Sequence, residues 1–190
     1  MKKALLLKST LALALAAPLL ASAESELVVG AGVADARLDF RVIIPRVLFL
    51  AVGTGSAGTA TDATIDTLTF DYTTTPADVG SGTPSPGQSV NVRVRGNNGQ
   101  VSLAATTTTS VLTNATADTI PWTQIASVSD QAATLPSPTI GAGSSNVTLN
   151  AGKVTDRSAV WTFSYLNAAV VAPGTYGTTD GRVTYTASMP

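Results

Sequence analysis

The sequence predicts an all-β protein, an immunoglobulin-like sandwich of two packed sheets. Three observations carry that expectation. Apolar and polar residues alternate through most of the chain after residue 24, and helical periodicity is almost absent. Charged residues make up only 12% of the chain, while Thr is abundant and suits a pleated surface. Turn-forming Gly, Pro and Asn separate about eight or nine runs of strand length, the spacing of a sandwich.

The first 23 residues stand apart. Met1-Lys2-Lys3 is a positive start, an apolar run comes next, and Ala21-Ser22-Ala23 supplies small residues for cleavage. This is the pattern of a secretory signal peptide with Glu24 as the first mature residue. Lys8 and Pro18 interrupt the run, and a membrane span needs roughly 20 apolar residues. No Cys succeeds the cleavage site, so a lipid anchor is not expected, and no later stretch is long and apolar enough to span a membrane. About 167 residues then remain, enough for one domain with a real core.

Each element has its own signal along the chain. Ala36, Leu38, Phe40, Val42 and Ile44 share one face of an extended run, with Arg37, Asp39 and Arg41 on the other. Pro45 ends the run, because it cannot donate a ladder hydrogen bond. Residues 46–52 read as a more fully buried strand and 53–63 as a loop. Residues 64–73 alternate again, and Ile65 is one position out of step with Leu68, Phe70 and Tyr72, a sign of a bulge. Residues 76–87 are an irregular connection. Val90, Val92 and Val94 face inward in the next strand, Asn97-Asn98-Gly99 turns, and residues 100–106 answer it. Residues 89–106 therefore predict a hairpin. Residues 119–130 read as one short strand, and 144–153 as another with its turn. Ala159, Trp161, Phe163 and Tyr165 form the core face of a long strand. Val183, Tyr185, Ala187 and Met189 share one face of the last.

Composition excludes several function classes. The chain has no His and no Cys, so the commonest general base, metal ligand and cross-link are all missing. No Ser–His–Asp arrangement is possible. Once Lys2, Lys3 and Lys8 leave with the signal, eight of the 11 basic residues stand against 12 acidic ones. A net charge of about −4 argues against nucleic acid as a partner.

Several motifs are decoys. Val28–Asp35 and Val52–Gly58 resemble glycine-rich dinucleotide loops. That chemistry needs a helix opening at the glycines, and the chain after Gly58 is Thr-rich and strand-like. Lys153, the one lysine after the signal, sits in a turn and reads as solvated. Asp62, Asp66 and Asp71 lie near loops or on a polar face and do not suggest a carboxylate pair. Asn114 and Asn146 match a glycosylation pattern that is common by chance in a Thr-rich chain. No run has calcium-loop spacing. Trp161 reads as core. Trp122 comes after a Pro near a turn and could stack on a sugar if exposed. No catalytic residue, cofactor or metal is expected.

Four stretches together resemble one family: 36–45 with 46–53 directly after it, the segment 90–108, "LTNATADTIPWTQI" at 112–125, and the ending "PGTYGTTDGRVTYTAS". In that order they are similar to chaperone–usher fimbrial (pilin) subunits, most like the alternate, colonisation-factor class of major subunits. The resemblance implies a pilin-like sandwich lacking one strand, completed by a donor strand from another subunit. It puts the donor on Ala36, Leu38, Phe40, Val42 and Ile44, within an extension spanning 24–44 ahead of a domain at 45–190. It puts the acceptor edge on Val183, Tyr185, Ala187 and Met189. The implied partners are other copies or related subunits, a periplasmic chaperone and an outer-membrane usher, and the implied location is the periplasm and then the cell surface. Alternation alone does not separate a donor acting in trans from a first strand closing its own sandwich. A self-complete surface or matrix protein and a carbohydrate-binding module therefore stand beside the fimbrial reading.

Overall fold

The computed structural model describes residues 24–54 and 61–190. The expected signal peptide and the Gly55–Gly58 part of the second glycine-rich decoy lie outside them. The chain divides into two units between Ile44 and Pro45.

Residues 24–44 contain no strand, and every one of them is exposed. The segment carries local polar contacts. Arg37 Nη2 lies 3.0 Å from Glu24 Oε1, and Asp35 N donates to Glu26 Oε2 at 3.2 Å. The strand expected over 36–44 is not formed here. A strand exists only through a ladder with a partner, and alternation in sequence supplies none.

The second unit, Pro45–Pro190, is nearly all strand and loop. Its strands are β1 (Leu48–Val52), β2 (Gln88–Gly96), β3 (Val101–Thr107), β4 (Val111–Thr113), β5 (Thr119–Pro121), β6 (Ile125–Ser129), β7 (Ser144–Val147), β8 (Thr155–Tyr165) and β9 (Val183–Ser188). One sheet has the order β1-β2-β8-β6, a second β7-β3-β9, and β4 and β5 form a small hairpin. Every ladder is antiparallel. The register puts Leu50 opposite Val94 and Val52 opposite Val92, Val92 opposite Ala159, and Leu103 opposite Ala187. The inward face is thus continuous across each sheet.

Three expectations about pairing are corrected. Residues 89–106 are not a hairpin, because β2 and β3 lie in different sheets and the Asn97–Gly99 turn carries the chain from one to the other. The Asn-Gly signal is real, with Gly99 at φ +102°, but inward-pointing valines fit strands that face each other as well as strands that neighbour each other. Residues 64–73 form no strand, although Leu68, Phe70 and Tyr72 alternate half-buried with exposed neighbours. The expected strand at 119–130 is two strands split by a 3-10 turn at Trp122–Gln124, and it delivers β5 to the small hairpin and β6 to the large sheet.

The main core joins Val92, Val94, Val101, Leu103, Leu135 and Trp161, all 0–2% exposed, with Val147, Ala159 and Phe163. Each large side chain so buried stabilises the fold by roughly 1.5–3 kcal/mol. A second cluster joins Leu112, Ile120, Trp122 and Tyr165. The loop between β6 and β7 caps one side of the main core. Its Leu135 is fully buried, and the Leu135 carbonyl accepts from Ser129 Oγ at 2.7 Å and Trp161 Nε1 at 3.3 Å.

Candidate functional site

Among the described residues the opposite side of this core is not capped in this way. β1 ends one sheet and β9 the other, and the two edge strands lie close together. Each is laddered on one side only among the described residues: β1 to β2 and β9 to β3. Where they converge, a Cβ placed on Gly96 would sit 3.4 Å from Met189 Sδ and 3.7 Å from Leu48 Cδ1.

Burial on this side differs from that along the interior strands. Inward residues of the interior strands β2, β3 and β8, such as Val94, Leu103 and Trp161, are fully buried. Inward residues along the open side are only half-buried. They comprise Leu50 and Val52 on β1, Leu68 and Phe70 from the next segment, Tyr185 and Ala187 on β9, and Met189 just after it, all packed against the same core. Leu48 remains 38% exposed. Among the described residues, the half-buried apolar side chains between the two edges make a channel floored by the core and flanked by backbone with no ladder partner. Unpaired main-chain groups beside apolar side chains invite another strand.

Local chemistry fixes both flanks. After β1, Gly53 takes φ +100° and its N–H reaches Asn91 O at 2.8 Å. Asp66 then accepts from Thr54 N and from Thr54 Oγ1 at 2.6 Å. These bonds hold its pKa below the usual carboxylate range. Gln88 Nε2 ties the same segment down by donating to Thr69 O. On the other flank the Tyr185 ring lies 5.3 Å from that of Trp161, and burial pushes its phenol up to about 12.

At the start of the unit, Asn97 clamps the chain. Its Nδ2 donates to Pro45 O, and its Oδ1 accepts from Val47 N, both at 2.8 Å. Arg46 Nη2 donates to Met189 O at 2.9 Å. Pro45 is thereby fixed beside the far end of β9.

The residues predicted for the site divide between the two units. Val183, Tyr185, Ala187 and Met189 lie on one face of edge strand β9 and its continuation, half-buried, with exposed residues between them. In the other unit Leu38, Phe40, Val42 and Ile44 are 71–86% exposed, and Ala36 is exposed too. Trp122 is a correction. It is 7% exposed and part of the second core cluster, so its indole offers no face to a sugar. Residues 111–113, which pair with Thr119–Pro121, roof that cluster, and the sequence reading missed this small hairpin. It also missed Leu50, Val52, Leu68 and Phe70 as lining residues, although the alternation at 68–72 was the available signal.

The remaining decoys resolve locally. Lys153 is exposed in the Ala151–Val154 turn. Asp71 is bound by Thr73, and its pKa is lowered by that bond, the wrong direction for a general acid. Asn114 is 9% exposed, with Nδ2 donating to Asp118 Oδ2 at 3.0 Å, while Asn146 is exposed on β7. A cavity of about 400 Å³ lies apart from the channel, lined by Thr113–Thr116 and Pro173–Thr175 with Thr178 and Thr179. Among the described residues no group of three or more acidic side chains could hold a metal ion, and no helix is long and apolar enough to cross a membrane. No protein-family model matches the chain, and no curated protein is detectably similar to it in sequence.

Proposed function

We propose that this protein is an exported structural subunit of a surface fimbria, assembled by strand addition between copies. In this reading Pro45–Pro190 is an immunoglobulin-like sandwich short of one strand, and residues 36–44 of another copy supply it. The observation that carries the reading is the half-buried apolar channel beside the unpaired edge of β9. Strand order supports it. The order β1-β2-β8-β6 is the one expected of an immunoglobulin A-B-E-D sheet, and the pairing of β3 with β9 is the one expected of C and F, with β7 an additional strand beside β3. The place of G, beside F, has no strand among the described residues.

The segment 36–44 matches what the channel asks for. It alternates apolar residues at the spacing of pockets along a strand, and its apolar side chains are exposed. Strand addition would give it main-chain bonds to β9 and bury one face. Four or five such side chains at roughly 1.5–3 kcal/mol each contribute about 6–15 kcal/mol gross, enough for a long-lived joint. An exposed apolar edge is an aggregation hazard before assembly. A periplasmic chaperone and an outer-membrane usher are the partners this implies, with the cell surface as destination. The buried Trp122 removes the feature that favoured a sugar-binding module.

The chain's lack of Cys makes a direct test simple. Chains carrying Leu38→Cys are co-produced with chains carrying Met189→Cys, and the expected product is a disulfide-linked pair of different chains. Phe40→Asp in the wild-type background is expected to abolish filaments seen by electron microscopy. Cross-linking only within a single doubly substituted chain, together with monomers in the microscope, would instead identify a self-complete sandwich.

A further inference from the structure

The two ends of the Pro45–Pro190 unit carry opposite charge. At the end where Pro45 enters lie Arg46, Arg95, Lys153 and Arg157, with Asp156 as their acidic neighbour. Arg93 and Arg95 share that one carboxylate at 3.3 Å each. Arg157 spends its donors on the Thr148 and Leu149 carbonyls, both at 2.9 Å, which leaves its charge uncompensated. Lys153 and Arg46 are exposed, and Lys153 is tied to the same turn because its carbonyl accepts from Gly99 N at 3.0 Å.

The other end, where β9 begins, reverses the sign. Asp71 adjoins Tyr72, whose ring meets Tyr165 at the end of β8 at 6.1 Å. The Asp78 carbonyl accepts from Asn167, just past the same strand. Asp180 accepts from Thr113 N at 2.9 Å, and Asp118 lies in the β4–β5 turn bonded to Asn114. Against these four acids stands Arg182. Asp71 and Asp118 are held ionised by hydrogen bonds from neighbouring Thr and Asn side chains and backbone.

We infer that these ends form a second, electrostatic contact between successive copies, the cationic end of one seated on the acidic end of the next. This rests on the strand-addition reading above, and direction comes from it. Every ladder in the unit is antiparallel. A strand added antiparallel to β9 ends beside Val183, where β9 begins. Its last residue, Ile44, leads at once into Pro45, which Asn97 clamps to the cationic end of the donating copy. No linker intervenes, so that end is delivered to the acidic end of the receiver. The ends of one unit lie roughly 30 Å apart along a nine-residue strand. Salt screens charges beyond about 8 Å at physiological ionic strength. Within one copy the two ends therefore do not neutralise each other, and between copies they do.

The test tracks self-assembly of the purified full-length protein by light scattering at about 20 mM and 500 mM salt. Arg46→Glu with Lys153→Glu is expected to slow assembly about tenfold at low salt. Asp71→Arg with Asp78→Arg should slow it equally. All four changes in one chain should restore the rate, and high salt should erase the differences. Rates unchanged by either reversal at low salt overturn the inference. Phe40→Asp separates this failure from that of the underlying reading. If it abolishes assembly at both salt concentrations while the reversals do nothing, strand addition survives and the polar contact does not. If assembly is indifferent to Phe40→Asp, both fall.

Discussion

Tyr185 shows how one residue can report on the open side. Its ring packs against Trp161 at 5.3 Å, and burial raises its phenol from an ordinary value of 10 to about 12. A raised value in the folded state means that stability is fully present below pH 10. It is lost as pH climbs through the folded value, because the unfolded chain ionises first. Urea unfolding between pH 9 and 12 should therefore lose roughly 2–3 kcal/mol from this group, and Tyr185→Phe should remove most of that loss. Tyr72, Tyr165 and Tyr176 are shifted the same way by burial and add a further loss of the same sign. Trp122 makes a separate point. It comes directly after Pro121 and opens a 3-10 turn, a local setting that in sequence looks like an exposed loop. Its burial comes from Leu112, Ile120 and Tyr165, a cluster that local pattern does not reveal because the fold assembles it from separate elements. Trp122→Ala should cost about 3–5 kcal/mol of unfolding free energy, and a loss confined to sugar binding with stability intact would contradict the burial.

At the scale of elements, the sequence disclosed faces better than partners. The core faces of β8 and β9 come from alternation alone, since side chains point to opposite sides at every second residue. Partners do not, because a ladder depends on backbone groups that all residues share. That is why β2 and β3, joined by a genuine tight turn, read as a hairpin although they lie in different sheets. It is also why 36–44 and 64–73 read as strands without being strands. The second of these segments is held by its corner. Gly53 sits at φ +100°, and a Cβ there would collide with the Asp66 carboxylate, which binds Thr54. Gly53→Ala should thus cost about 1–3 kcal/mol from strain at a left-handed position. Asp66→Asn added to it should cost less than its effect in the wild type, because both changes break the same corner. Denaturant melts of the two single variants and the double variant measure that coupling.

For the whole molecule, the open side and the exposed segment pose one thermodynamic question: what stabilises an all-β body whose inward edge residues are half-buried? Interior strands reach full burial at Val92, Val94, Val101, Leu103 and Trp161, and Leu135 of the β6–β7 loop is fully buried on the other side. Most of the half-buried inward residues lie on the flank between β1 and β9, with Val90, Ile125 and Ile140 the others packed on this core. Any strand that binds there binds only the folded state, since the channel exists only when both sheets are formed. Such a ligand raises stability by an amount that grows with the logarithm of its concentration, about 2.7 kcal/mol at a hundredfold excess over its dissociation constant. For a body of this size each kcal/mol moves the melting temperature by roughly 2–4 °C. A synthetic peptide spanning 35–45, added to full-length protein whose own segment is disabled by Phe40→Asp, should therefore raise the melting temperature by about 5–10 °C at that excess. The same peptide carrying Phe40→Asp should raise it little. Equal shifts from both peptides would mean that the added strand gains nothing from its apolar face, and the channel would then be a surface feature with no strand of this sequence to receive.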